Sequence, residues 1–394
     1  MSRRRFVLGC GCAAFSVLNW HGALAQWTAP ARLGRPDPAT DEGGLWAMMD
    51  REEQRLRRSG FLIRDKALQD YVSGIACRLA GDHCPDIRVY LVQTPYFNAS
   101  MSPNGMMQVW SGLLLRVTNE AQLAAILGHE IGHYMMRHSL ERLRDAKSRS
   151  AFGQFLGVVL SAAGAGGVGS MAQLALLAGM LAYSRDHERE ADRIGLDLMS
   201  RAGYAPLEAS KVWAQLLEEL KAGSAERDEY WSESVLFATH PPAEERQKAL
   251  AAAAAAASGV AAGRTGEEEH RKAIARHRSE FLGEELKRRR FGETRVMLER
   301  MLAALPGDGE LQYCLGEAHR LRAQSDDLKQ ALDAYRKAES MQGAPAELYR
   351  SKGLVLRQLG EANEAEAAFA RYLELNPAAP DGALIRSYLK RPAT

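Results

Sequence analysis

Hydrophobic and polar positions change period several times along the chain. Residues 43–80 carry apolar positions at helical spacing among many arginines and glutamates. Ile87 to Val92 alternates and is β-branched at two positions, which predicts a strand. Phe97 to Met101 predicts a second short strand, Pro103-Asn104-Gly105 a turn, and Met106 to Trp110 the returning strand of a small sheet. Asn119 can cap a helix, with Gln122 three residues later to close a capping box, and the periodicity then predicts one long helix to about Lys147. From Ala151 to Tyr183 there is no charged residue and there are seven glycines. That stretch is long enough to cross a bilayer, but the cluster from Gly164 to Gly169 splits it. Two short apolar helices joined by a loop are expected, suited to a lid or to contact with a membrane surface. Ser184 to Arg201 predicts a helix that stops at Gly203, and Pro206 to Lys221 predicts another. Ala249 to Gly263 is nearly all alanine, glycine and serine, a shift that marks a domain boundary although the alanine run also suits a helix.

Beyond that boundary the sequence repeats. Gly353, Ala365, Phe369, Tyr372 and Pro377 stand at the spacing of a tetratricopeptide unit. Gly316, Ala331, Tyr335 and Ala338 repeat the pattern with extra residues in the middle, and Gly292, Met297, Met301 and Ala304 match the second helix of an earlier unit. About three tetratricopeptide repeats over residues 278–377, with a capping helix near 381–390, are expected; a generic helical bundle is the alternative. The resulting partition is a signal peptide over 1–25, an extended leader over 26–42, a first domain over 43–248, an Ala/Gly-rich linker over 249–265 and a repeat domain over 266–394.

The amino terminus has a basic start at Arg3-Arg4-Arg5, an apolar core and Ala23-Leu24-Ala25, so cleavage after Ala25 is expected. The paired arginines resemble a twin-arginine export signal, and Val7-Leu8-Gly9-Cys10 resembles a lipoprotein box. The formal net charge of the whole chain is +2. Residues 1–25 hold three arginines and no acid, so 48 of the 51 basic residues remain against 49 acidic ones, a net of −1 without them. Nothing in that balance suggests a nucleic-acid partner. Of five cysteines, Cys10 and Cys12 leave with the signal. Cys77 and Cys84 are placed for a bridge in an oxidising compartment, or for two buried thiols in a reducing one, and Cys314 reads as a core residue.

The chemistry sits in two segments. His129 and His133 are four residues apart, so a helix puts both imidazoles on one face, where they can share an ion. Glu130 lies beside that face and can reach a water without binding the metal. Such a motif also occurs by chance on surface helices. Here Ala124, Ala125, Ile126, Leu127 and Ile131 make the helix largely buried, and buried polar groups need partners. Two histidines leave the ion short of a ligand. Glu188 and Asp192, again four apart, supply two carboxylates: one to bind metal, one to accept a ligand histidine's remaining ring N–H. Spacing alone does not assign the two roles. Asp186, Arg189 and Glu190 read as a solvated face, and His83, His138, His187, His270, His277 and His319 as structural. His138, five residues past His133, is off the ligand face.

Gly128-His129-Glu130-Ile131-Gly132-His133, followed by Tyr183-Ser184-Arg185-Asp186-His187-Glu188-Arg189-Glu190-Ala191-Asp192-Arg193-Ile194-Gly195, resembles the HtpX and CAAX-prenyl-protease class of zinc peptidases. The chain is most similar to the BepA-like periplasmic branch of that class, over roughly residues 45–250, with the repeats extending the likeness. The resemblance implies an α+β, mostly α fold: a zincin-like (gluzincin) domain with a small β-sheet, followed by an α-solenoid of tetratricopeptide repeats. It implies one Zn2+ per subunit on His129, His133 and Glu188, with Glu130 as general base and Asp192 orienting a ligand. Glu190 is not four residues before the aspartate and is set aside. In Thr239-His240-Pro241-Pro242, His240 matches a family histidine with two open roles: a fourth ligand that keeps the enzyme latent, or a stabiliser of the oxyanion, a role Arg246 can share. Asn98-Ala99-Ser100-Met101 sits where the class has a substrate-pairing edge strand, and departs from it at Ser100 and Met101. The implied activity is zinc-dependent endopeptidase action on unfolded or misassembled envelope and outer-membrane proteins in the periplasm. Outer-membrane assembly machinery is the expected partner of the repeats, and residues 151–183 the expected peripheral membrane contact. The rival reading is a periplasmic chaperone or assembly factor with a mostly latent zinc site.

Overall fold

The computed structural model describes residues 27–148, 183–227, 244–257, 263–324 and 326–389. The expectations for residues 1–25, for the uncharged stretch before Tyr183 and for His240 lie outside the described residues. The described residues from Arg32 onward form one compact unit. Most of it is helical, with one small mixed sheet, and among the described residues no helix is long and apolar enough to cross a membrane.

The sheet forms where the alternation predicts it: β1 is Arg88–Val92, β2 Ala99–Met101 and β3 Met106–Trp110. Their order is β1-β3-β2, with β1 parallel to β3 (Val89 opposite Met107) and β2 antiparallel to it (Ser100 opposite Gln108). The hairpin between β2 and β3 turns at Gly105, whose φ of 87° suits glycine. Every residue of β3 is buried. The first helix, α1 (Asp41–Arg57), starts on Thr40, whose hydroxyl accepts the Gly43 N–H, and carries the buried Glu53 against β1. Arg88 donates to both Glu53 oxygens at 2.7 and 2.6 Å, and Tyr90 and Asn104 donate at 2.6 and 3.1 Å. Helix α2 (Lys66–Ala80) ends in the disulfide Cys77–Cys84, which ties it to the short 3-10 turn Gly81–Asp86.

Helix α3 (Ser111–Arg116) leads into α4 (Glu120–Met135), which is buried at every position. The Asn119 side chain accepts the Gln122 N–H at 2.8 Å, as the capping pattern predicts, while the Gln122 carbonyl oxygen accepts from Thr118 rather than from Asn119. The single long helix expected to Lys147 is instead two. Arg137 takes a left-handed φ of 56°, which ends α4 and lets α5 (His138–Ser148) leave in a new direction. Helix α6 (Arg185–Arg201) is capped by Ser184, whose side chain accepts the His187 N–H, and stops before Gly203; α7 (Leu207–Arg227) runs beyond the predicted end at Lys221.

The alanine-rich stretch is not an open linker. Its first part belongs to α8 (Glu244–Ala257), which buries Leu250 and Ala254 and packs on α6 and α7. Its end runs back to α4: the Thr265 and Gly266 carbonyls accept the N–H groups of Ala121 and Glu120 at 2.9 and 3.2 Å. Those are first-turn amides that a helix cannot satisfy internally. Helix α9 (Glu267–Ile274) then seats His270 against the Leu114 carbonyl at 2.9 Å. Helix α10 (Arg278–Lys287) supplies Glu285, which shares the buried Arg116 with Glu219, both at 2.7 Å. The later helices pack in consecutive pairs: α11 (Phe291–Ala304) against α12 (Gly309–Arg322), α12 against α13 (Asp327–Glu339), and α14 (Glu347–Gln358) against α15 (Ala362–Leu375), closed by α16 (Gly382–Leu389). Gly316 lies under the Tyr335 ring and Gly353 under the Phe369 ring, with no room for a Cβ at either.

Burial opposes ionisation of Glu53, but Arg88, Tyr90 and Arg57 more than offset it and hold its carboxyl at about 2. Glu53→Gln is expected to lower unfolding free energy by roughly 3 kcal/mol at neutral pH, read by denaturant titration. A depressed carboxylate contributes its stability above the unfolded value of about 4.3 and loses it as pH falls toward 2, so wild type and variant should converge across that acid window. Parallel curves over that range would show that the ion cluster adds nothing.

Candidate metal centre

Two helices meet here through small residues. A Cβ on Gly195 of α6 would lie 2.8 Å from the His129 backbone nitrogen, and one on Gly128 would lie 3.1 Å from the Gly195 carbonyl oxygen. One turn along, a Cβ on Gly132 would lie 3.2 Å from the Ala191 Cα. This backbone-to-backbone approach brings Glu188 onto the histidine face of α4. His129 Nε2 and His133 Nε2 are 3.1 Å apart, and Glu188 stands 3.5 Å from each through its two oxygens. All three side chains are buried, and each offers an atom within 4.8 Å of the others, a set that could hold a metal ion.

The second carboxylate takes the orienting place. Asp192 Oδ1 lies 2.9 Å from His129 Nδ1. Burial favours its neutral form, but the Arg246 guanidinium and His129 hold Asp192 below the usual carboxylate range. Arg246 arrives from α8. It donates through Nε and one terminal nitrogen to the two Asp192 oxygens at 2.8 and 2.6 Å, and its other terminal nitrogen stands 2.7 Å from Glu188. Its carbon centre sits 4.4 Å over the Trp213 ring. The guanidinium expected to share in stabilising an oxyanion therefore has its fork turned to two carboxylates, which it neutralises and aligns. Glu130 is buried one residue from His129, and its charge is felt at Arg246 and Tyr183.

His138, which spacing placed off the ligand face, has its Nδ1 2.8 Å from His133 Nδ1 and its Nε2 3.2 Å from Glu190. Burial lowers its pKa, against the pull of Glu190. The periodicity of α4 gave no sign of this contact, because the left-handed Arg137 lies between the two histidines. Tyr183 stacks on the His133 ring at 3.8 Å, and His187 on His138 at 4.3 Å. Glu190, set aside as a ligand, thus stays outside the three-residue cluster but touches it at one remove.

Strand β2 is an edge of the sheet and packs on α4. Met101 at its end lines a cavity together with Pro103, His133 and Leu33. The segment Asn98 to Met101 therefore lies at the edge strand position expected for it, beside the histidine face.

Residues 63–254 match the model of peptidase family M48. The chain is 29% identical over 242 residues to the beta-barrel assembly-enhancing protease of Escherichia coli (strain K12), covering 57% of this chain and 48% of the relative. It is 30% identical over 242 residues to the protein of that name from Yersinia pestis, with the same coverage. It is 33% identical over 181 residues to the mitochondrial metalloendopeptidase OMA1 of Schizosaccharomyces pombe, covering 45% of this chain and 50% of the relative. The chain spans about half the length of the curated relatives it matches.

Gly195→Ala adds a methyl group where the His129 backbone already stands, so the helices must part. A loss of about 1–3 kcal/mol in stability and a fall in bound metal are expected, measured by denaturant unfolding and elemental analysis. Gly74→Ala, on an open face of α2, is the control and should be neutral or stabilising by up to about 1 kcal/mol. Equal behaviour of the two variants would remove the close contact as the cause of the site.

Proposed function

For a chain whose residues 63–254 match the model of peptidase family M48, we propose a zinc-dependent metalloendopeptidase acting on unfolded or misassembled envelope proteins. The observation that carries this reading is the convergence of His129, His133 and Glu188. Four ligands at zinc–nitrogen distances in a tetrahedron stand about 3.3 Å from one another. The two imidazole nitrogens stand 3.1 Å apart, each has a Glu188 oxygen at 3.5 Å, and the donor set of two imidazoles and a carboxylate suits that ion. Bound there, zinc supplies Lewis acidity to the attacking water and to the scissile carbonyl.

The chain's own groups do the rest. Glu130 removes a proton from the water as its oxygen bonds to the carbonyl carbon. When the C–N bond breaks, Glu130 returns that proton to the leaving amine. Asp192 holds the His129 ring through Nδ1, and Arg246 keeps Asp192 ionised in a buried place while reaching Glu188 with its other terminal nitrogen. The free edge of β2 pairs with an extended substrate by backbone hydrogen bonds.

The setting is proposed as the periplasm. The amino-terminal sequence supports this, as does the Cys77–Cys84 disulfide, which belongs in an oxidising compartment. The paired helices after Arg278 are read as tetratricopeptide repeats. Tyr335 over Gly316 and Phe369 over Gly353 support that, since both pairs stand at repeat positions. Their proposed partners are unfolded clients and outer-membrane assembly machinery, in keeping with the names of the bacterial relatives. Residues 151–183 are proposed as a peripheral membrane contact on their composition alone.

The test pairs metal content with cleavage. Purified wild type should hold one zinc per chain and cut an unfolded outer-membrane protein. Glu130→Gln should keep the zinc and lose cleavage by about 100-fold or more. His129→Ala should lose both. Wild type that binds no zinc, or a Glu130→Gln variant that cuts at the wild-type rate, would overturn the proposal.

A further inference from the structure

The two ligand histidines are held in different ways. His129 has a carboxylate at Nδ1, whereas His133 has a second imidazole there. The proton positions follow from the chain of contacts. His133 turns Nε2 toward His129 and Glu188, so Nδ1 faces away from the ligand set. That Nδ1 is 2.8 Å from His138 Nδ1, and two imidazole nitrogens at such a distance need one donor and one acceptor. The far nitrogen of His138 lies 3.2 Å from a Glu190 carboxylate oxygen, which takes the acceptor role. As a neutral ring, His138 therefore carries its one hydrogen on Nε2 and presents a lone pair at Nδ1. His133 must donate from Nδ1, which leaves its own lone pair on Nε2, the nitrogen that faces Glu188.

The planes of both rings are fixed as well. Tyr183 stacks on His133 and His187 on His138, each at an interplanar angle of 18°. His187 is itself held by Glu141 at 3.0 Å. The stacks set the ring planes, and the hydrogen bonds set rotation within them. His138 is 1% exposed, and it is brought back toward α4 by the left-handed backbone at Arg137, a conformation that L residues rarely adopt.

We propose that His138, anchored by Glu190, is a positioning residue that selects the tautomer and orientation of His133 so that its Nε2 is offered to the metal. This deepens the metallopeptidase reading and rests on it. It gives the site two unlike supports, a carboxylate behind one imidazole and a neutral imidazole relay behind the other.

The experiment measures zinc affinity by chelator competition and the visible spectrum of the cobalt-substituted protein, with thermal unfolding of the metal-free form alongside. His138→Leu keeps bulk but cannot accept, and is expected to weaken zinc binding about 10–100-fold and to alter the cobalt spectrum. His138→Asn, whose amide oxygen can accept from His133 Nδ1, should recover most of the affinity. Glu190→Gln keeps an acceptor and should stay near wild type, while Glu190→Leu should weaken binding. This second pair changes a partly exposed side chain, so it reports even if His138→Leu fails to fold. Wild-type affinity and spectrum in both Leu variants would overturn the inference while leaving the metal site intact. Asn as weak as Leu at position 138 would also overturn it, since packing rather than the hydrogen bond would then be at stake. Absence of zinc from wild type would overturn the metal reading itself.

Discussion

A site built from two helices depends first on how closely their backbones can run. Packed helices ordinarily keep their axes about 8–10 Å apart, a spacing set by the side chains between them. At the crossing of α4 and α6 the closest approaches involve Gly128, Gly132, Ala191 and Gly195, so little side-chain bulk intervenes there. Glu188 has a short side chain compared with the gap that larger residues would impose. The geometry of the three-residue cluster is thus inherited from residues that carry no chemistry of their own. The glutamate and aspartate of α6 share one helical face, so the approach that delivers Glu188 to the ion also delivers Asp192 to the ring of His129.

Concentrating Glu130, Glu188 and Asp192 in a buried region has an electrostatic cost. One guanidinium offsets much of it. Lysine in place of Arg246 could not make the same set of contacts, because a single ammonium cannot present a planar fork to Asp192, a third nitrogen to Glu188 and a flat face to Trp213 at once. The arginine comes from a helix that spacing rules could not connect to the site. Its place in the sequence, six residues after His240, suggested a role facing the substrate, whereas the folded chain points it at the carboxylates.

Much of the half that holds the histidine–glutamate cluster is legible in the sequence because its signals are local. The i, i+4 spacing of His129 and His133, the cap at Asn119, and the alternation of β1 each depend on a few neighbouring residues. What escaped depends on tertiary placement. The break at Arg137 occurs at a residue with no turn preference, so periodicity continued through it on paper. His138 was invisible for the same reason, since a helix would have carried it to another face. The alanine run looked like a spacer by composition, yet alanine is the strongest helix former, and Ala254 fits between packed helices because it is small. Among the later helices, Gly316 meets Tyr335 and Gly353 meets Phe369, all residues that the sequence singled out by their spacing.

The return of Thr265 and Gly266 to the start of α4 has a consequence for how the molecule holds together. The region that matches the peptidase family ends at residue 254, but two amide groups at the head of the histidine-bearing helix find their acceptors beyond that point. The same is true of Arg116, whose buried charge is divided between Glu219 inside the match and Glu285 outside it. A fragment cut at the family boundary would expose bare helix dipoles and a half-neutralised cation. The matched region and the first helices after it therefore complete each other's hydrogen bonds and charges, and neither is closed without the other.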